Sequence, residues 1–279
     1  MYDKLINGSE KVKIKIEELK KIQLDILKDI DNFCKKNNIK YWLDYGTLIG
    51  AIRHSGYIPW DDDIDIGMLR EDYDKFLKEY NKNNNQYQFI SCENDKDYLF
   101  PFGKVIDTNT ILYEPDENGI KIGVYVDIFV HDKASDNNLD NKKSYQKRDL
   151  YNKLRIAQIF PNLYDKTSLK KRLLRFFVNL YLKFLPKNYY TKKIIKNSMK
   201  YNNKDTSKIA DFIAPYEVVV DKKIFDKTID VTFEKNKYPA PIGYDEYLRT
   251  IYGDYMKLPP KEKRISNHNF KAYYKENDK

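Results

Sequence analysis

The chain has 279 residues, 41% of them hydrophobic and 33% charged, which suits one large domain at the polar end of the globular range. No stretch approaches the roughly 20 consecutive apolar residues of a membrane-spanning helix. Met1 to Glu10 lack the apolar core of a signal peptide, so a cytoplasmic chain is expected. The net charge of +9 favours an anionic partner. Abundant Lys, Asn, Ile and Tyr is also what an AT-rich genome produces, so the charge alone selects none.

Cys34 and Cys92, the only cysteines, form no C-x-x-C pair. A cysteine zinc site is therefore not expected, and a reducing compartment fits.

In chain order, Leu19, Ile22, Ile26, Ile30 and Phe33 recur at helical steps and predict a long amphipathic helix ending at Asn37-Asn38. Ile39 to Leu43 reads as a short strand, broken at Tyr45-Gly46, with a helix over Thr47 to Ile52. Ile58-Pro59-Trp60 is a loop that delivers Asp61-Asp62-Asp63 and the alternating Ile64-Asp65-Ile66. A helix covers Glu71 to Tyr80. Strands are expected over Tyr87 to Ser91, Gly103 to Ile106, Thr110 to Tyr113 and Gly123 to Val130. From about 137 to 202 the sequence turns basic and helix-forming, with Pro161 and Pro186 as breaks. Strands return near Glu217 to Val220 and Ile229 to Phe233, then a helix over Tyr244 to Tyr252 and a basic tail from Lys261. A single domain over 1–279, with a helical insertion at about 137–202, is the simplest organisation.

The carboxylates carry the chemistry. Asp63 and Asp65, two apart on a strand-like segment, point to one face. Burying two such groups together is costly without a cation. Asp127 stands alone in the apolar run Val124 to Val130, and a neighbouring strand pair would bring it beside them. Three carboxylates from two strands make a cradle for Mg²⁺, which binds through a few carboxylates plus substrate phosphates. Gly46-Thr47, between a strand and a helix, lets a phosphate approach the backbone. Arg53, beside His54, can clamp a phosphate through two bonds.

The stretch from Tyr41 to Gly67 (YWLDYGTLIGAIRHSGYIPWDDDIDIG) and the block from Gly243 to Pro260 closely resemble the LicD family. That family includes bacterial phosphocholine transferases and is related to the eukaryotic fukutin proteins. The resemblance runs from about Leu19 to Tyr273. It implies an α+β, nucleotidyltransferase-like fold, with a mixed β-sheet core, flanking helices and a basic helical insertion. It also implies transfer of a phospho-alcohol, phosphocholine above all, from a CDP-alcohol donor such as CDP-choline to a glycan, with release of CMP; phosphoethanolamine or ribitol phosphate is the alternative group, and a nucleotidyltransferase acting on a small molecule the more distant reading. Teichoic acid and lipopolysaccharide, or a lipid-linked precursor, are the implied acceptors.

On that resemblance Asp63, Asp65 and Asp127 are the metal ligands, for Mg²⁺ or alternatively Mn²⁺. Asp127 is the candidate to take the acceptor's proton, with Asp61 as the alternative. Gly46, Thr47 and Arg53 steady the donor phosphates, and Lys104 and His131 are weaker candidates there. Near the C-terminus Arg264, Ser266 and His268 stand where relatives carry an Arg and paired histidines, Asn267 replacing the first of the pair. Trp42 and Trp60, the only tryptophans, flank the motif and are candidates for an aromatic cage around a trimethylammonium group.

Over residues 168–187, Leu169, Leu173, Phe177, Leu180 and Phe184 share one helical face and basic residues the rest. This pattern fits either an anionic membrane surface, and so a peripheral position on the inner face, or a core-facing helix. The Asp run lacks the glycine and distal glutamate of an EF-hand, which argues against a calcium-binding module. No helix-turn-helix, zinc finger or RNA-binding aromatic motif is visible, so nucleic acid is not an expected partner.

Overall fold

The computed structural model describes residues 12–82, 86–114, 120–159, 169–266 and 271–275. Chain order begins β1 (Lys13–Ile14), α1 (Ile16–Asn37), β2 (Trp42–Leu43), α2 (Tyr45–His54), β3 (Asp65–Leu69), α3 (Arg70–Glu79), β4 (Tyr87–Ile90). It continues with β5 (Gly103–Asp107), β6 (Thr110–Glu114), β7 (Ile120–Ile122), β8 (Tyr125–Ala134), α4 (Asn138–Ile159), α5 (Leu169–Leu182) and α6 (Tyr189–Ser198). It closes with β9 (Lys208–Ala210), β10 (Val219–Asp221), β11 (Thr228–Phe233), β12 (Asn236–Pro241), α7 (Tyr244–Tyr252) and β13 (Lys271–Tyr274). The fold is mixed α+β.

The chain divides into two compact units, one from Met1–Phe89, Lys104–Ile128 and Phe225–Lys279, the other from Ile90–Gly103 and Phe129–Ile224. In the first, α1 buries Leu19, Ile22, Ile26, Leu27, Ile30 and Cys34 on one face. Glu17 and Glu18 in its first turn and Lys35 and Lys36 in its last complement the helix dipole. Asn38 ends it in the left-handed region at φ 52°, a conformation asparagine tolerates.

β2 lies antiparallel to β3, with Trp42 opposite Gly67 and Leu43 opposite Ile66. β3 in turn neighbours β8. A second antiparallel sheet runs β1-β13-β6-β7, and β11 and β12 form a two-stranded ribbon.

The second unit holds the latter part of β8, which pairs antiparallel with β9 as β9 does with β10. Tyr145 of α4 packs with Ala134, Ala210 and Phe212 in a small core. The basic block expected over 137–202 contains α4, α5 and α6.

Several expectations are corrected. The strand expected at 39–43 shrinks to two residues because Ile39 N–H bonds the Cys34 carbonyl and Lys40 N–H bonds Asp72, leaving neither donor for a ladder. β12 went unread because Pro239 and Pro241 break a strand pattern. Both sit on a two-stranded ribbon, where a missing N–H is tolerated. Asp63 is not on the strand. β3 starts at Asp65, and residues 61–64 precede it without regular structure.

Candidate functional site

Asp44 anchors the first part of the site. It is fully buried, accepts from Tyr45 N–H at 2.9 Å and from the Tyr247 hydroxyl at 2.8 Å, and its own N–H reaches the Asp65 carbonyl. These bonds hold Tyr45 at φ 41°, a left-handed conformation that is strained for an aromatic residue. The turn aims the start of α2 toward Asp61. A Cβ on Gly46 would stand 2.8 Å from Asp61 Oδ2, so glycine leaves room for that carboxylate. Thr47, buried, accepts from Asp65 N–H through Oγ1 at 2.8 Å and ties α2 to the start of β3.

The carboxylates converge from two directions. One oxygen each of Asp61, Asp62 and Asp63 lies within 4.8 Å of the others. Asp62 is buried and fixed at both ends: its carbonyl accepts from Gln23 of α1 and its Oδ2 from the Ser266 hydroxyl at 2.7 Å. Asp127 comes in on β8, where its N–H bonds the Ile64 carbonyl, and Lys104 of β5 pairs with it at 2.6 Å. Burial raises the Asp65 carboxyl well above its ordinary range, and Asp63, Asp127, Asp61 and Asp44 push it the same way. Asp44, Asp61, Asp63, Asp65 and Asp127 thus share one neighbourhood, with Asp62 beside Asp61 and Asp63, and the neighbouring strands β3 and β8 bring Asp127 there.

A basic and aromatic rim adjoins them. Arg53 donates to His54 Nε2 at 3.0 Å and to the Tyr255 carbonyl. Burial lowers its pKa, and the approach of Arg264 lowers it further. Arg264 bonds the Pro259 carbonyl and lies over the Trp60 ring at 5.6 Å.

The first block and the C-terminal stretch 243–266, about 200 positions apart, therefore meet through Asp44–Tyr247, Arg53–Tyr255, Asp62–Ser266 and Trp60–Arg264. Trp42 is not part of any cage: it is buried in the core, 4.5 Å from the Phe225 ring centroid. His131 lies buried in the second unit, and His268 falls outside the described residues. Asp44, Asp62, Gln23 and Tyr247 were not singled out from sequence. Gln23, a polar residue on the apolar face of α1, was the one clear signal among them.

A family model described as LicD/FKTN/FKRP, nucleotidyltransferase domain, matches residues 38–166. The chain is also 30% identical over 274 residues to the lipopolysaccharide cholinephosphotransferase LicD of Haemophilus influenzae, covering 94% of this chain and 98% of that one. The chain belongs to the LicD family. By that membership it is a phosphotransferase. A shorter match, 53% identical over 34 residues, links this LicD-family chain to the human ribitol 5-phosphate transferase FKRP, covering 12% of this chain and 7% of that one.

Proposed function

We propose that the chain transfers a phospho-alcohol, phosphocholine in the first instance, from CDP-choline to a hydroxyl of a cell-surface glycan or its lipid-linked precursor, releasing CMP on the cytoplasmic side. Near full-length similarity to a cholinephosphotransferase carries the reading. The clustered carboxylates beside Gly46 supply the reaction centre of this reading.

The donor set is all oxygen, as Mg²⁺ or Mn²⁺ requires, and the desolvated, mutually repelling carboxylates around Asp65 fit a divalent cation. Asp63, Asp65 and Asp127 would hold it, with Asp61 and Asp62 at hand. Such a metal supplies neutralisation of charge on the transferring phosphoryl group.

The chain's own residues position the reactants. Gly46 and Thr47 border the donor phosphates, and Arg53 offers a guanidinium to the leaving CMP phosphate. Lys104, held by Asp127, adds a second cation to the phosphate environment. The acceptor oxygen bonds to the phosphorus next to the alcohol as the bond to the CMP oxygen breaks in line. Asp127 takes the acceptor's proton, or Asp61 in its place. Trp60, already faced by Arg264, remains the tryptophan available near the choline methyl groups.

The test is CMP release from CDP-choline, CDP-ethanolamine and CDP-ribitol with Mg²⁺ and a choline-free glycan acceptor. Thermal melts run in parallel, since a ligand at about 100 times its Kd adds about 2.7 kcal/mol. Transfer from CDP-choline, lost in Asp65→Asn, supports the reading. The FKRP match favours ribitol phosphate as the second donor, and a response to CDP-ribitol alone would select it. Indifference to every cytidine nucleotide would overturn both.

A further inference from the structure

The C-terminal half of α5 turns apolar side chains outward. Phe176, Phe177, Leu180, Tyr181 and, just past the helix end, Phe184 are 61%, 58%, 44%, 55% and 81% exposed. At about 100° per residue these positions share a single arc roughly 140° wide. The opposite side holds the helix to its own unit. Leu182 is buried there, and Gln158 of α4 reaches the carbonyls of Leu182, Leu185 and Pro186 at 3.2, 3.3 and 3.0 Å. A core-facing helix would have the reverse arrangement. One exposed Leu or Phe is ordinary, whereas five contiguous ones mark a surface that something covers.

The charge around this arc identifies what covers it. From Leu169 to Lys187 the sequence holds Lys170, Lys171, Arg172, Arg175, Lys183 and Lys187 and no Asp or Glu. Lys183 and Lys187, close to these aromatic residues in sequence, are exposed. Exposed aromatic rings in a segment whose only charges are cations match the chemistry of a lipid interface bearing negative headgroups, where rings enter the acyl boundary and ammonium groups stay on phosphate. A second copy of the chain fits poorly, because two such basic faces would repel. No helix among the described residues is long and apolar enough to cross a membrane, so the contact lies in the plane of the surface.

We propose that residues 169–187 seat the second unit on an anionic lipid surface, with Phe176, Phe177, Leu180, Tyr181 and Phe184 inserted and Lys183 and Lys187 on the headgroups. This does not depend on the identity of the donor or on the transferase reading, because the readout is binding.

The experiment is flotation of the full chain with phosphatidylcholine vesicles and with vesicles that also contain phosphatidylglycerol, at low and at physiological salt. Binding to the second kind only is expected. The triple variant Phe177→Ser, Leu180→Ser, Phe184→Ser should bind about tenfold less or weaker, with an unchanged melting temperature. Lys183→Glu with Lys187→Glu should weaken binding most at low salt. Three results would overturn the proposal. One is no flotation with anionic vesicles at low salt. Another is a triple variant that binds like the wild type, which would assign the attraction to the chain's overall charge. The last is a solution dimer, seen by sedimentation, that the triple variant converts to monomer, which would assign the face to a second copy.

Discussion

Lys104 Nζ stands 2.6 Å from Asp127 Oδ1, and both side chains are about nine-tenths buried or more. The same ammonium lies 3.3 Å from the centroid of the Tyr125 ring. Removing one partner of such a pair strands a charge away from water. Lys104→Met should therefore cost about 3 kcal/mol of stability. Asp127→Asn in the same chain should recover part of that loss. Urea unfolding of the two single variants and the double variant measures the coupling.

Asp65 sets stability against function. A carboxyl whose folded pKa is raised binds its proton more tightly in the folded chain than in the unfolded one. Its contribution is present at low pH and is lost as pH climbs from the ordinary 3.8 through the raised value. In EDTA at neutral pH, Asp65→Asn should therefore melt above the wild type, while in Mg²⁺ its transfer rate should be lower by about a hundredfold or more. Saturating Mg²⁺ should raise the wild type and leave the variant nearly unmoved. A variant that melts lower than the wild type in EDTA would show that contacts within the chain already relieve the crowding.

Gly46→Ala separates room from fold. The added methyl meets only the far end of the Asp61 side chain, which can swing away, and alanine favours a helix by about 1 kcal/mol over glycine. The melting temperature should stay within a few degrees. Transfer should drop about tenfold or more because Asp61 is displaced. An active Gly46→Ala enzyme would remove Asp61 from the reaction centre.

His54 should give the rim a pH response. Its Nε2 accepts from Arg53 and so must be unprotonated. Burial first and Arg53 second lower its pKa below 6.5. The bond's contribution is full above pH 6.5 and is lost as pH falls through the lowered value. His54→Gln keeps an acceptor but cannot titrate. Its melting temperature should fall less steeply than that of the wild type between pH 6.5 and about pH 5. Parallel slopes would mean that other groups carry the acid sensitivity of this region.

Much of the frame is legible in the sequence. α1 shows in its apolar spacing, and Asp127 betrays itself as a carboxylate in a run of Val and Ile. What periodicity cannot carry is a contact between distant segments. The Tyr247–Asp44 bond joins residues 203 positions apart, and neither side chain breaks a local pattern. Trp42 looked like a ligand-binding aromatic because it flanks the motif, yet its ring fills the space that Gly67 leaves opposite it. The outward turn of α5 was equally hidden, since an amphipathic pattern reports that a helix has two faces and not which one meets solvent.

The convergence of the two blocks has a consequence for inheritance. Asp44, Trp60 and Asp62 of the first block take Tyr247, Arg264 and Ser266 as partners from the far end of the chain. A chimera that imported residues 41–67 from a distant relative and kept its own residues 243–266 would join halves selected against different neighbours. Descent should therefore pass the two segments on as one unit, and a recombination joint between them should survive only where the parents already agree at these contacts.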